Sequence, residues 1–293
     1  MINLIKTDFK KLFSLKSFYI CSGLIVVFSI LMMIIVNMSA DLAISMYENA
    51  ADDVKAGKTL DSSTEVIYNS VEAEKANYAA KGEEFDIKEY FSIKGVSELP
   101  PGESYQVYII MICVVISLFV STEFSQGTMK NVVSRGFSRT SIYFSKVIVS
   151  MALSLIYLIF NKIVNVTLVS IIYGFGETTA TAFEIFKVIG VEILLIFAFT
   201  SLFVMIAMVT RSTAGAMALN IISCTTVGSL LILGNMAFKD IKLENYYLEG
   251  GISNIMSLHP SEESLRNGVI MAAIYLISTS IIGLISFKKA DIK

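Results

Sequence analysis

The sequence predicts an all-α integral membrane protein with six transmembrane helices, an N-terminal amphipathic interfacial helix and a partly helical extracytoplasmic loop. Two observations lead to this fold class. The 293-residue chain is 55% apolar and only 16% charged, whereas soluble domains carry about 25% charged residues. Six apolar runs are also long enough to cross a hydrocarbon core, which takes about 20 residues in a helix. Backbone in lipid must satisfy its own hydrogen bonds, so we expect these runs to be helical.

The first 16 residues, MINLIKTDFKKLFSLK, are amphipathic at helical spacing. One face carries the apolar set Ile2, Ile5, Phe9, Leu12 and Phe13, and the basic set Lys6, Lys10 and Lys11 lies largely opposite. A basic amphipathic helix beside a span is typical of a segment that lies in the membrane interface. We therefore predict an interfacial helix over 1–16. Ordinary positive anchoring of the next span stays open as the alternative.

Residues 17–293 are predicted to form one six-span domain. Its apolar runs are 18–38, 105–122, 147–173, 188–209, 215–238 and 269–287. Several of them end at charge, as at Lys16, Glu123 and Lys288. The polar connection 239–268 could hold short helices that dip back toward the membrane.

The distribution of lysine and arginine predicts that both termini are cytoplasmic. The segments 1–16, 123–146, 210–214 and 288–293 hold 12 basic residues against three acids. The segments 41–103, 174–187 and 239–268 hold 10 basic residues against 21 acids. The raw basic totals are close, but six of those ten lie in the long segment 41–103, and such long loops have little influence on orientation. The short segments therefore predict that the N- and C-termini are inside, and we expect a multi-pass protein of the plasma membrane.

The segment 41–103 is predicted to be an acidic extracytoplasmic insertion. It contains 14 acids and six lysines. Ser62-Ser63-Thr64-Glu65 has the pattern of a capping box and predicts a helix that continues to about Ala80. Ile67, Val71 and Tyr78 would share one face of that helix.

The residue inventory argues against an enzyme. The three cysteines, Cys21, Cys113 and Cys224, lie in apolar runs, and His259 is the one histidine. No metal-ligand or catalytic spacing is present, and the six spans contain no aspartate or histidine. An intramembrane protease would need such groups. We therefore expect no catalytic or metal-binding residues in this chain.

The third span carries a polar strip. Ser150, Ser154, Asn161 and Asn165 follow helical spacing, and Lys162 adjoins them. Charge inside a bilayer is costly and marks either a pathway or a partner. Ser154, Asn161, Lys162 and Asn165 are therefore candidates for a translocation path or a subunit seam. Alternatively, Lys162 snorkels or pairs with Glu192 to hold two spans together, although the depths of the two residues along their runs match poorly.

The connection between spans two and three, EFSQGTMKNVVSRGFSRTSIYFSK over 123–146, has an internal order. Thr128 to Val133 read as a short helix, Gly136 is placed to stop it, and Ser138 can cap the helix that becomes span three. Charge beside a span would by itself indicate only a topology anchor. An anchor does not need this order of turn and cap residues.

This segment resembles the second cytoplasmic segment of ABC-2-type permeases, the membrane subunits of bacterial ABC exporters. The matching residues are Glu123, Gly127, Thr128, Lys130, Ser134-Arg135-Gly136, Ser138-Arg139 and Lys146. The resemblance implies that Glu123, Gly127, Thr128, Lys130, Arg135, Arg139 and Lys146 make or support contact with a separate ATPase subunit. ATP and Mg would bind to that ATPase and not to this chain. Arg211, between spans four and five, matches the second, shorter cytoplasmic turn of these permeases.

The resemblance further implies a pair of permease subunits, formed with a second copy or a paralogue, in a lipid bilayer and without nucleic acid. The expected function is export of an amphipathic substrate such as a peptide, toxin or drug. The long insertion departs from the simplest members of the family and leaves the substrate class open. The alternatives are a non-transporting membrane sensor or interaction protein and a carrier driven by an ion gradient, which would depend on Lys162 and Glu192.

Overall fold

The structure, a computed structural model, describes residues 1–82, 84–91, 105–174, 181–227, 230, 246–255 and 260–289. Over these residues the chain is helical and has no strand. The helices are α1 (Ile2–Ser14), α2 (Lys16–Lys55), α3 (Ser62–Lys81), α4 (Ile87–Phe91), α5 (Tyr105–Ser125), α6 (Thr128–Ser134), α7 (Arg139–Tyr173), α8 (Ala182–Thr210), α9 (Thr213–Thr225), α10 (Leu248–Ile255) and α11 (Glu262–Lys289).

Five of the described helices, α2, α5, α7, α8 and α11, are long and apolar enough to cross a membrane. The chain is therefore a multi-pass helical membrane protein. The predicted span 215–238 begins in α9, a shorter apolar helix, and most of its second half lies outside the described residues. The polar connection 239–268 contains α10, one of the short helices that the sequence allowed.

The chain divides into two compact units. Unit 1 comprises Met1–Val27, Leu99–Asn165 and Thr178–Lys293, and unit 2 comprises Phe28–Glu98 and Val166–Glu177. In unit 1, α5 packs against α8 and α9, and α8 packs along α11. The short helix α10 lies beside α8 and α11, where Tyr247 contacts the ring of Phe199 and Gly251 faces Leu195.

Contacts between helix termini define two opposite ends of unit 1. At one end, Ser125 Oγ of α5 lies 2.9 Å from Thr213 Oγ1 of α9, and Arg139 at the start of α7 reaches the last turn of α11. We call this the α6 end. At the other end, Lys187 near the start of α8 pairs with Glu262 at the start of α11, 2.6 Å apart.

Unit 2 contains a helical pair formed by the C-terminal part of α2 and by α3. Tyr47 donates a hydrogen bond of 2.6 Å to Glu72 and stacks on Tyr68. Val71, on the predicted inner face of α3, is fully buried. The helix α3 agrees with its predicted extent, but Asp61 is its N-cap and the expected capping box at Ser62 is absent.

The first long helix extends much further than predicted. The apolar run ends at residue 38, whereas α2 continues to Lys55. No glycine or proline lies between Gly23 and Gly57, so nothing in this stretch interrupts the helix when the sequence turns polar. The chain turns at Gly57, whose φ of 71° suits glycine. About a quarter of the predicted insertion is thus a direct continuation of the first span.

Candidate functional site

The predicted short helix of segment 123–146 is present as α6. Gly127 begins it with φ 68°, and Gly136 follows it with φ 82°, which is the left-handed region that glycine adopts without strain. Met129 is buried, and Val132 and Val133 pack against the core. The residues on the other face are exposed, and they are Lys130, Asn131, Ser134 and Arg135.

Ser138 caps α7 as predicted. Its Oγ accepts a hydrogen bond of 3.2 Å from the backbone N–H of Ser141. The next residue is Arg139, whose Nη1 donates to the carbonyl oxygens of Phe287 (3.2 Å) and Lys288 (2.7 Å). A cation at a helix C-terminus satisfies carbonyls that lack partners and complements the helix dipole. Arg139 therefore ties α7 to the end of α11.

Glu123 and Lys146, the first and last residues of the segment, meet in a buried ionic cluster. Lys146 Nζ lies 2.5 Å from Glu123 Oε1 and 2.6 Å from Asp8 Oδ1 of α1. Lys11 Nζ, also from α1, lies 2.7 Å from the same Glu123 oxygen, and Ser145 donates a hydrogen bond of 2.7 Å to Asp8 Oδ2. We call Asp8, Lys11, Glu123, Ser145 and Lys146 the ionic cluster.

The ionic cluster has a buried centre and is electrically balanced. Asp8, Glu123 and Lys146 are 4%, 2% and 2% exposed, and two lysines face two carboxylates. Asp8 and Glu123 bind the same ammonium group. The two bound oxygens therefore lie within about 5 Å of each other, and like charges at that separation repel by about 3 kcal/mol at an effective dielectric constant of about 20. Lys146 offsets this repulsion and also lies 4.5 Å from the centre of the Phe119 ring.

The burial of Glu123 and Lys146 limits the role predicted for them. A side chain that is 2% exposed does not touch a partner protein in this conformation, so these two residues can only support a docking surface. Lys130 and Arg135 are exposed and are available for direct contact. Gly127 shapes the turn, and Thr128 donates a hydrogen bond to the backbone carbonyl of Glu123.

Sequence reasoning missed Asp8. It placed the apolar residues of α1 on one face for the membrane interface, set Lys11 largely opposite, and gave Asp8 no role. The structure buries Leu4, Asp8 and Leu12, which are spaced by four residues, while Ile2 and Phe13 remain 71% and 40% exposed. The signal was present in the sequence, because Asp8 is the one acid among the first 16 residues and falls in register with two leucines.

The polar strip of α7 faces neighbouring helices inside unit 1. Ser154 Oγ lies 2.6 Å from Thr200 Oγ1 of α8. Ser154 and Asn161 are buried, and the amide of Asn165 donates to the carbonyl oxygen of Asn161 at 2.9 Å. Ser154 and Asn161 could therefore meet a substrate only if the helices around them separate. Their place in a translocation path stays a prediction.

Lys162 pairs with Glu192, which contradicts the poor match of depths expected from the sequence. Lys162 Nζ lies 3.1 Å from Glu192 Oε1, and Tyr108 of α5 donates a hydrogen bond of 2.9 Å to the same oxygen. Glu192 is fully buried, whereas the Lys162 side chain is 31% exposed. The long lysine side chain bridges the difference in position along the two helices. This contact favours the structural alternative, in which the pair joins α7 and α8.

A second polar contact between helices involves residues that sequence reasoning did not single out. The Asn220 amide of α9 donates to Ser117 Oγ of α5 at 2.8 Å and to the carbonyl oxygen of Phe203 of α8 at 3.3 Å. Such bonds hold transmembrane helices together. Within the described ranges, no group of three or more histidine, cysteine or acidic residues is arranged to hold a metal ion.

Fold and site together define a multi-pass α-helical membrane protein with a short amphipathic helix between two of its long apolar helices. The chain belongs to the family described as protein of unknown function (DUF2705), whose model matches residues 100–293. The matched region begins after α4 and includes α5 to α11. No curated protein and no solved structure matches the chain.

Proposed function

We propose that this protein is the transmembrane subunit of an ABC exporter, in which a separate ATPase docks on α6 and drives export of an amphipathic substrate such as a peptide, toxin or drug. One observation carries the proposal. The helix α6 buries its apolar side on the bundle and exposes only polar and basic side chains, and it joins the ends of two long apolar helices. A conformational change in a docked cytoplasmic ATPase can displace a rigid, exposed helix of this kind.

The charge at the α6 end supports a cytoplasmic location. In the described parts of segments 1–16, 123–146, 210–214 and 288–293, the only acids are Asp8 and Glu123, and both are buried. The exposed charge in the described parts of these segments is therefore basic, as expected for a cytoplasmic surface.

The contrast between α1 and α6 supports a protein partner for α6. Beside Lys6 and Lys10, α1 exposes Ile2 and Phe13, a combination that suits the lipid interface. The apolar side chains of α6 are buried or half-buried against the bundle, so this helix has little to insert among acyl chains. We infer that α1 lies on the bilayer and that α6 faces the ATPase.

The positions of helix ends support a sixth crossing. Thr213 lies at the α6 end and Glu262 at the opposite end, so the chain passes from one end to the other between these residues. If this passage crosses the membrane, it makes six crossings with the five long helices and puts both termini on one side. A second copy or a paralogue would complete the exporter.

Affinity purification from native membranes in a mild detergent tests the proposed function. The wild-type chain is expected to retain a nucleotide-binding subunit, identified by mass spectrometry, and to hydrolyse ATP. Lys130→Glu/Arg135→Glu is expected to lower the retained ATPase at least tenfold. Lys55→Glu/Lys58→Glu makes the same charge change in unit 2 and is expected to leave it unchanged. Wild-type chain that purifies without any ATPase contradicts the proposal.

Lys162 and Glu192 favour one alternative, a carrier driven by an ion gradient, because ionisable residues inside a membrane often mark ion pathways. That carrier would transport without ATP and without a bound ATPase. Glu192→Gln would abolish its transport, while the substitutions on α6 would leave it unchanged. The two functions therefore predict opposite responses to the same variants.

A further inference from the structure

The ionic cluster closes the base of the segment that carries α6. Residues 123 and 146 are the two ends of this segment, and Lys146 joins them through Glu123 at 2.5 Å. The α6 helix begins five residues after Glu123, and Thr128 Oγ1 donates to the Glu123 carbonyl oxygen at 3.3 Å. The position of α6 is thus fixed from both of its flanks.

The same cluster attaches α1 to this base. Both of its charged contacts with α1 are made by residues one helical turn apart, Asp8 to Lys146 and Lys11 to Glu123. Ser145 adds a third link through Asp8. Between α1 and α2 stands only Leu15, whose extended backbone breaks the helix. The orientation of α1 is therefore determined by the ionic cluster together with the packing of Leu4 and Leu12.

Buried ion clusters of this kind set geometry more than they raise stability. Desolvation of the charges offsets most of their attraction, and apolar residues of similar size often serve stability as well. The cluster also requires an exact register, since one ammonium group must reach carboxylates from two other helices. These properties suit a group of helices that moves as one rigid body.

We propose that Lys146, with Asp8 and Glu123, forms an ionic clamp that makes α1 and the segment 123–146 a single rigid lever. Lys146 is a positioning residue, because it acts on the docking helix through Glu123 and does not contact the partner. A displacement of α6 would be passed directly to α1 at the membrane surface and to the first turns of α7. This inference deepens the proposed function and rests on it only for the ATPase that would displace α6.

Distances between nitroxide spin labels on α1 and α6 test the clamp in the full chain alone, reconstituted in lipid nanodiscs. Labels are attached at Lys6→Cys and Ser134→Cys, two exposed positions, after Cys21→Ser, Cys113→Ala and Cys224→Ala remove the native thiols. The unsubstituted cluster is expected to give one narrow distance distribution. Asp8→Asn, which removes charge at nearly constant size, is expected to broaden it at least twofold. Asp61→Asn in unit 2 is the matched control and is expected to have no effect.

A second pair of variants separates the clamp from folding. Lys146→Met leaves two buried carboxylates close together, and loss of folded protein is an expected outcome. Asp8→Asn/Lys146→Met removes one carboxylate with the ammonium and leaves Glu123 with Lys11, so this variant is expected to fold. The α1–α6 distribution should stay broad in the double variant. A wild-type width in Asp8→Asn or in the folded double variant overturns the clamp.

A nucleotide experiment distinguishes the clamp from the proposed function. In the complex purified with its ATPase, ATP and vanadate are expected to shift labels at Lys6→Cys and at Ser134→Cys relative to one at Ala214→Cys. In Asp8→Asn the ATPase should remain bound and the shift at α6 should persist, while the shift at α1 is lost. Persistence of the α1 shift overturns the clamp. Absence of any shift in the unsubstituted complex contradicts the proposed function, and the distances in the chain alone still decide the clamp.

Discussion

Among the described residues, each of the three buried carboxylates is bound by a lysine from a different helix. Asp8 and Glu123 meet Lys146, and Glu192 meets Lys162. Both lysines belong to α7, which therefore supplies a cation to acids of α1, α5 and α8, and Lys11 of α1 is a second cation for Glu123. A buried acid that loses its lysine keeps the cost of desolvation without the attraction, so we expect each pair to respond unequally to removal of its two partners.

The Lys162–Glu192 pair provides a direct test of this asymmetry. Lys162→Met leaves a fully buried carboxylate with only its Tyr108 hydrogen bond, and we expect a loss of about 3 kcal/mol in stability. Glu192→Gln removes the buried charge and can still accept from Tyr108, so its loss should be smaller. Thermal unfolding in detergent and protein abundance in membranes measure both effects.

The double variant Lys162→Met/Glu192→Gln is the control for that comparison and should recover stability relative to Lys162→Met. A translocation role for Lys162 predicts a different result. Transport by Lys162→Met should then fall while the amount of folded protein stays normal. Unchanged transport by Lys162→Met at normal abundance would rule out the pathway hypothesis. Equal stability losses in Lys162→Met and Glu192→Gln would contradict the expectation that removal of the lysine costs more than removal of the acid.

Gly283 of α11 permits a close approach to Tyr143 of α7. A methyl group at residue 283 would lie 2.5 Å from the Tyr143 hydroxyl and 3.0 Å from two of its ring carbons. Tyr143 is fully buried and has little room to withdraw. Gly283→Ala should therefore lower the stability by about 1–3 kcal/mol, the usual cost of overpacking, measured as a fall in the thermal unfolding midpoint.

Two variants make the Gly283 result specific. Gly23→Ala introduces the same methyl group where nothing lies within 4 Å, and it should not lower the midpoint. Tyr143→Phe/Gly283→Ala removes the closest atom and should regain part of the loss. A midpoint for Gly283→Ala equal to that of the wild type would show that α7 and α11 are not packed this closely.

At the scale of elements, the sequence indicated local chemistry and one candidate long-range pair, Lys162 with Glu192, but not the pairing within the ionic cluster. The helix α6, its glycine stop and the Ser138 cap all depend on residues within a few positions of one another, and the sequence indicated each of them. The contact of Asp8 with Lys146 joins residues 138 positions apart, and no local pattern specifies it. The run of α2 to Lys55 was missed because hydropathy reports where lipid ends and not where a helix ends.

The α2–α3 pair in unit 2 carries a pH-dependent contact. Hydrogen bonds from Tyr47 and Lys75 lower the pKa of Glu72 below its usual value of 4.5. A carboxylate with a lowered pKa in the folded state contributes stability above its unfolded pKa and loses it as the pH falls through the folded value. We therefore expect the contact to be complete at neutral pH and to weaken below pH 4.5.

Hydrogen–deuterium exchange of α3 peptides measures this effect, after correction for the intrinsic pH dependence of amide exchange. Exchange should increase as the pH falls from 5 to 3 in the wild type. Glu72→Gln should raise it already at pH 7 and abolish most of the further pH response. Glu65→Gln alters an exposed acid of the same helix and should behave as the wild type. A pH response that persists in Glu72→Gln would assign the titration to another group.

At the scale of the whole molecule, composition and the long apolar runs predicted a helical membrane protein, and the five long apolar helices confirm it. The number of crossings and their direction depend on how the chain connects these helices. Hydropathy counted the run 215–238 as a sixth span, while most of the described part of that run lies in the 13-residue helix α9. Thr213 and Glu262 lie at opposite ends of unit 1. The side of the membrane from which each of these two ends is accessible therefore decides the number of crossings.

Single cysteines in a chain without native thiols report this accessibility, using a membrane-impermeant maleimide on intact cells. Lys58→Cys in unit 2 and Glu263→Cys at the start of α11 are expected to react from outside. Ser134→Cys after α6 and Ala214→Cys at the start of α9 should react only after the cells are permeabilised. All four positions are exposed, so a lack of reaction in intact cells reports the membrane and not burial. Reaction of Ala214→Cys and Glu263→Cys from the same side would remove the sixth crossing. If all four cysteines react from the sides opposite to those expected, the number of crossings stands, but α6 lies outside the cell. A cytoplasmic ATPase could not reach it there.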